Sequence, residues 1–478
     1  MTANIVVRTG PGETRYALTV GGVLTRQMVR RDSDAALLGT IYRGQIVKLH
    51  KGLNAAFVDL GDGREGFLSA QDAQYFDGAR EKPRPIGEVY TEGESVLVQV
   101  TREASDGKGP KLTGRLSLAS PNLVLTPLRP GVSISKKIEN ENERARLSGF
   151  FEKTIPKDLG VIARTNSAKA GDGDLEIELE HILQIWTEAV QGEANRKSAG
   201  ILIPSPDPIE ILLGHCPGLD ASVTVGDSAT RNDLVTSLQR KIPGLSEKVR
   251  LYADTGDIFD QHDLHDQWAE LYSPVVPLSS GGRLHIHETA AATMIDVDSG
   301  GGNPMLPGDP FNMAVNAEST VEIGRQIPLR EISGQIVIDF LPVRSKEKKN
   351  RLEQDLTRAL GSEARDCMLF GDTKMGLFEM SRRRGRRSFA ESHMISFTGE
   401  RQACDLAYDV FYDLERESKR FPGKGLKVIC SQPVTEACNG EPERSVLEKL
   451  KGQILAPVEF QPESRHCSGT FEIEVIRT

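Results

Sequence analysis

The sequence predicts an α+β protein of several domains, with a small closed β-barrel near the N-terminus and an α/β layer in the C-terminal half. Residues 36–119 hold five short apolar alternations separated by glycines: IYRGQIVKL, AAFVDLG, EGFLSA, SVLVQV and KLTGRLSL. Five strands in so short a span suit a closed barrel, because closure removes sheet edges. Farther on, the apolar run GQIVIDFLPV lies between helical patterns at 313–326 and 348–360. Such a run reads as a strand buried on both faces, and helix–strand–helix implies helices packed on a sheet. The length, 478 residues, suits about three domains of ~150 residues each.

The elements follow in order. Residues 4–30 read as strands IVVRT, YALTV and VLTRQMV, punctuated by GPGET and a Gly-Gly turn. The barrel pattern comes next. Leu175, Leu179, Ile182, Leu183, Trp186 and Val190 then recur at helical spacing. Leu352, Leu356, Ala359 and Leu360 share a face of the 348–360 helix. A helix over 402–419, a strand KVICS and a terminal strand within TFEIEVIRT close the chain. No ~20–50-residue period repeats itself, which argues against a solenoid or propeller.

Composition narrows the function classes. Hydrophobic residues are 38% and charged residues 27% of the chain, enough apolar material for true cores. No run of ~18 apolar residues is present, and the first residues lack the basic-then-apolar pattern of a leader, so a cytoplasmic protein without a membrane span is expected. Cys216, Cys367, Cys404, Cys430, Cys438 and Cys467 are scattered. That spacing reads as reduced thiols and contains no zinc-type pair. A net charge of −9 argues at face value against a nucleic-acid binder, although binding depends on local rather than average charge.

Four groups of residues carry candidate chemistry. Asp296 ends the apolar stretch TMI, and Asp339 ends IVI. Acids at the polar ends of adjacent strands sit where open α/β sheets place their sites. Paired carboxylates with few other ligands suit Mg²⁺, which completes its shell with water and phosphate oxygens. The alternative is a turn cap for Asp296 and a surface ion pair for Asp339. The loop Ser299–Gly302 is either a phosphate cradle or a flexible connection. Arg382 to Arg387 includes Arg382, Arg383, Arg384, Arg386 and Arg387; with Lys374 it reads as a phosphate-contacting stretch or as a solvated face. Phe57 and Phe67 lie amid Arg43, Lys48, Lys51 and Arg64; they are either a stacking platform for single-stranded bases or rings filling the barrel. The pairs His285/His287 and His262/His265 lack a third ligand type, which favours structural roles. No Ser–His–Asp signature or Walker loop is present.

Several of these segments together resemble the ribonuclease E/G endoribonucleases. LGTIYRGQIVKLHKGLNAAFVDLGDGREGFLSAQD is similar to that family's S1-type barrel, and DLGVIARTN to its 5′-phosphate sensor. MIDVDSG, the helix from Asn316 and Glu318 through Glu322, Arg325 and Gln326, then ISGQIVIDF and MGLFEMSRRR, resemble its catalytic subdomain in the family's order. The resemblance implies an S1-type OB barrel (36–125) inserted into an RNase H-like subdomain (1–35 and 216–278). It further implies a 5′-sensor subdomain (126–215), a DNase I-like α/β catalytic subdomain (279–390), and a linker with a small C-terminal domain (391–478). By position, Asp296 and Asp339 become magnesium ligands and Arg164 and Thr165 a 5′-monophosphate site. Phe57, Phe67, Lys108, Lys374, Arg382 and Arg383 become RNA contacts. Asp298 stands near the scissile group.

Two departures mark this chain. Asp298 occupies a position where the family has asparagine, and an ionised carboxylate can only accept hydrogen bonds. The family's shared Cys-Pro-x-Cys zinc link has no counterpart in ESHMISFTGER, and His393 alone does not replace it. Zinc is therefore not expected, and any homo-oligomer would use another surface. The implied activity is Mg²⁺-dependent cleavage of single-stranded, preferably 5′-monophosphorylated RNA, leaving 5′-phosphate and 3′-hydroxyl ends, in RNA processing or decay. The alternative is an RNA-binding protein of the same fold with weak or lost nuclease activity.

Overall fold

The structure is a computed structural model that describes residues 2–34, 38–73, 84–105, 108–195, 198–216, 220–241, 243–252, 256–301, 309–395, 399–463 and 469–476. Gly302 and Cys467 from the sequence reading fall outside them. The chain divides into two compact units. One comprises Met1–Ile5, Ala35–Thr224 and Ser228–Leu251; the other comprises Val6–Asp34, Val225–Asp227 and Tyr252–Thr478.

The first unit contains the expected barrel. Strands Ile41–His50, Ala55–Asp59, Glu65–Ser69, Lys111–Thr113 and Ser95–Arg102 pair in that spatial order. The last then pairs back onto the first, Ile41 opposite Gln99 and Gln45 opposite Ser95. Five strands thus close with no free edge, consistent with an OB-like fold. Alternation points Tyr42, Ile46, Val58, Leu68, Val98 and Leu112 inward as one core. A sixth strand, Gly200–Ile203, adds outside the circle against Ile41–Arg43. A second sheet runs in the order Gly131–Ile134, Gly160–Ala163, Leu123–Thr126, Leu118–Ala119. Helices Glu141–Thr154 and Asp172–Asn195 bury Leu147, Phe151, Leu175, Leu179, Ile182 and Trp186 against it. The helical spacing read from sequence holds for those residues, but Val190 is exposed because the buried stripe continues through Ala189 instead.

In the second unit, Glu13–Val20 and Val23–Arg31 form a two-residue hairpin through Gly21-Gly22. The dominant element is a six-stranded sheet in the order Val275–Pro277, Arg283–Glu288, Thr293–Asp298, Gly334–Asp339, Phe378–Arg382, Cys367–Asp372. Thr293–Asp298 and Gly334–Asp339 are parallel, and the helix Asp309–Leu329 between them makes the crossover. That helix is longer than its sequence pattern at both ends. It crosses Lys346–Leu360 closely at Gly324, where a Cβ would stand 2.7 Å from that of Ala359.

Both helices bury one side of the sheet. Val315, Ile323, Ile327, Leu356 and Leu360 share a core with Ile295, Val297, Ile336 and Ile338. The run IVIDF is therefore not covered on both faces, as its apolarity suggested. Ile336 and Ile338 are buried, whereas Gln335 and Asp339 are exposed and Val337 is only partly covered. With both helices on one side, the other face is left uncovered by them.

The C-terminal segment has its own core. Helices Ala403–Arg420, Gln432–Asn439 and Glu443–Ile454 pack on a three-stranded sheet of Val458–Pro462, Leu426–Cys430 and Phe471–Val475.

Candidate functional site

The open face of the six-stranded sheet can be read row by row. Antiparallel register sets His285 opposite Asp296, and parallel register sets Asp296 opposite Asp339. Their neighbours Ile295, Val297 and Ile338 point into the core, so alternation puts Asp296 and Asp339 on the uncovered side, where both are exposed. Parallel neighbours lie ~4.8 Å apart, so the two carboxylates start from adjacent Cα positions. Two anions that close repel unless a cation sits between them.

The surrounding residues hold this end of the sheet in place. Asn316, fully buried, donates from Nδ2 to the Leu341 carbonyl at 2.9 Å and accepts from the Leu341 amide at 3.0 Å. That double bond clamps the chain two residues beyond Asp339. Glu318 accepts from the Ser279 and Ser280 amides and ties down the turn before Arg283–Glu288. Asp298 lies on the same face as Asp296, but its carboxylate is already engaged. Oδ2 pairs with Arg283 Nε at 3.2 Å, and Oδ1 accepts from the Gly300 amide at 3.0 Å. Arg283 is its cross-strand partner, so register supplies the cation that offsets the extra negative charge.

Among the described residues no three His, Cys, Asp or Glu side chains gather as a complete metal-ligand set. Two exposed carboxylates with no thiolate form a hard oxygen donor set. It fits an ion that keeps several waters, such as Mg²⁺.

The barrel presents a second surface. Phe57 and Phe67 are cross-strand partners, their rings edge-to-face with centroids 5.9 Å apart. Neither belongs to the barrel core; both are half-buried on its outer side. Register extends the row in both directions, with Lys48 opposite Phe57 and Lys111 opposite Phe67. The order Lys–Phe–Phe–Lys across four strands places ring faces between two cations. Lys111, which the sequence reading missed, is ion-paired with Asp72 at 2.8 Å and remains 45% exposed. Its signal was a register that only the folded barrel reveals. Lys108, exposed, precedes its strand.

In the same unit, Arg164 caps a short 3-10 turn, Thr165–Lys169. Its Nη1 donates to the Ser120 carbonyl at 2.7 Å, which fixes the guanidinium, and Thr165 Oγ1 lies 3.1 Å from Ser135 Oγ. Arg164 is half-buried and Thr165 exposed.

Against known proteins, the model of the ribonuclease E/G family matches residues 117–385, more than half of the chain. This protein belongs to the ribonuclease E/G family. Ribonuclease G of Escherichia coli is 28% identical over 468 residues, covering 94% of each chain. Ribonuclease G of Haemophilus influenzae is 28% identical over 488 residues, covering 99% of each. Ribonuclease E of Escherichia coli is 31% identical over 412 residues, which are 82% of this chain and 38% of that one. The matched segment contains Asp296, Asp339, Arg164 and Thr165, so these residues lie in the part of this ribonuclease E/G member that carries the family signal.

The arginine tract is less available than its sequence suggested. Arg382 is nearly buried, with Nη2 2.7 Å from Glu363 and Nη1 3.3 Å from Glu331 and 3.0 Å from the Ile332 carbonyl. Arg386 also pairs with Glu331, at 3.1 Å. Packing thus surrounds Arg382 with acids from other elements. Arg383 is exposed, as is Lys374 in the turn between Cys367–Asp372 and Phe378–Arg382. His265 is held by Asp257 at 3.1 Å and Asp260 at 3.3 Å. His393 is buried against Asp405 at 2.6 Å.

Proposed function

We propose that this protein is an endoribonuclease that hydrolyses single-stranded RNA at Asp296 and Asp339, in RNA processing or decay. The observation that carries the reading is the pairing of those two acids on an uncovered sheet face, inside the segment that matches a ribonuclease family. In this reading Asp296 and Asp339 hold Mg²⁺, which when bound supplies Lewis-acid stabilisation of charge growing on the phosphate. Water's oxygen bonds to phosphorus and the bond to the 3′-oxygen breaks. That oxygen leaves with a proton, giving 5′-phosphate and 3′-hydroxyl ends. Asn316, through Leu341, positions Asp339 rather than touching RNA.

Arg164 and Thr165 bind a 5′-monophosphate, the guanidinium pre-set by Ser120. The barrel row of Lys48, Phe57, Phe67 and Lys111, with Lys108 close in sequence, holds the strand by stacking and charge. The six-part division 1–35, 36–125, 126–215, 216–278, 279–390 and 391–478, with a split RNase H-like subdomain, is the organisation this reading uses. Cytoplasmic residence accords with reduced thiols, and among the described residues no helix is long and apolar enough to cross a membrane.

The competing reading is an RNA-binding protein with weak or lost turnover, which the extra carboxylate of Asp298 favours. The Arg283 pair weighs against it by offsetting that charge. Incubating the protein with a 5′-monophosphorylated single-stranded RNA, with and without Mg²⁺, decides between them. Magnesium-dependent cutting that disappears in Asp339→Asn supports the enzyme. Tight binding with no such cutting supports the binder.

A further inference from the structure

The open face of the catalytic sheet carries more than acids. One row along from His285, Asp296 and Asp339, on the same face, Met294, Val337 and Glu379 are successive register partners. Rows on one face are two residues, ~6.8 Å, apart. The edge strand Cys367–Asp372 completes this second row with Phe370. The register slips there between Leu369 and Gly371, and Gly371 takes φ +83°, a conformation that favours glycine. Leu369 packs on the core, whereas Phe370 is 61% exposed. Met368 beside it is 65% exposed and Met294 40%. Lys374 stands exposed in the turn that follows.

We propose that Phe370 stacks a base of the RNA strand held at Asp296 and Asp339; this rests on the nuclease reading above. The row suits bases rather than backbone. Apolar side chains offer phosphate nothing, and Glu379 repels it, whereas every base has a π-face that an exposed ring can cover. Phe370 is two strands from Asp339, ~10 Å across the sheet. At that offset it meets nucleotides flanking the cleaved bond, and Lys374 adds a cation for the backbone beside them. A protein partner fits less well, because a dry interface over this row would have to desolvate Glu379 and the neighbouring aspartates.

The test uses the full chain with Asp339→Asn, so that RNA is bound and not cut, and a fluorescein-labelled 5′-monophosphorylated single-stranded RNA. Adding Phe370→Ala weakens binding about tenfold, the loss of one stacked base, and Phe370→Trp restores it. RNA carrying 5-iodouridine beside the cleavage position cross-links to the peptide containing Phe370. In the cutting-competent chain, Phe370→Ala raises KM more than it lowers kcat.

Equal affinities in chains of equal thermal stability, with no cross-link at Phe370, overturn the proposal. So does a change in self-association with RNA affinity unchanged, which would make this face a protein contact. If the parent chain does not cut RNA at all, the nuclease reading fails by itself, and the binding and cross-linking arms still judge Phe370.

Discussion

Replacing Phe57 and Phe67 by alanine, singly, tests whether the barrel's outer rings bind RNA or merely pack. Both rings are half-buried and stand outside the core of Tyr42, Ile46, Val58, Leu68, Val98 and Leu112. Within the protein each loses the area it half-buries and, beyond that, its edge-to-face partner at 5.9 Å, worth about 0.5–1.5 kcal/mol. A phenylalanine that filled the barrel would cost ~3–5 kcal/mol on truncation. What each loses with RNA is one stacked base, ~1–3 kcal/mol, or roughly 5- to 150-fold in Kd.

The assay pairs urea unfolding with fluorescence anisotropy of a labelled single-stranded RNA at several salt concentrations. The expected result is a small shift in unfolding midpoint with a large loss of affinity. Lys48→Ala should behave differently from the ring variants, lowering the slope of log affinity against log salt by about 0.7, one single-strand phosphate contact. A stability loss of ~3–5 kcal/mol with RNA affinity unchanged would return the rings to a packing role.

Three further outcomes are expected. Arg164→Ala should abolish preference for 5′-monophosphorylated over 5′-hydroxyl RNA in competition cleavage, and equal parental rates on the two would end the sensor assignment. Asp405 is fully buried and accepts from Arg31 at 2.6 Å, Arg401 at 2.5 Å and Tyr272 at 2.7 Å, with His393 at 2.6 Å. Asp405→Ala leaves Arg31 with Glu13 and Arg401 with Asp409 but removes the buried anion that all of these groups share, and should cost ~3 kcal/mol in urea unfolding. Burial alone would raise the Asp405 carboxyl, but His393, Arg401 and Arg15 hold it well below the ordinary value. Its stabilisation is therefore present at neutral pH and lost only as strong acid protonates it, so the parent–variant gap should narrow there. Burial, aided by Glu391, pushes the Glu288 carboxyl from 4.5 up to about 7. Folding then favours the protonated form, and stability falls as pH rises from 4.5 to about 7 and levels off above it. Glu288→Gln should remove that fall, and an unchanged pH profile would count against the assignment.

Periodicity made much of this protein legible. Five glycine-punctuated alternations announced a barrel because an alternating strand must bury one face, and Leu175, Leu179, Ile182 and Trp186 announced a helix because 3.6-residue spacing does the same. Asp296 and Asp339 were visible as acids ending apolar strands. Each of these signals is local, written within a few residues of chain.

Other features depend on which strand lies beside which. Sequence could pair Asp296 with Asp339 only by supposing their strands adjacent, and it could not say that Arg283 meets Asp298 or that Lys111 extends the Phe57–Phe67 row. All three are consequences of register between segments distant along the chain. Nor could it say that Arg382 would be surrounded by Glu331 and Glu363, or that IVIDF would keep one face open. Burial is a property of what packs against a residue, and tertiary structure alone supplied the neighbours. Local spacing laid down the elements and the chemical types at their ends; folding set their pairing, and so which charges are neutralised and which face outward.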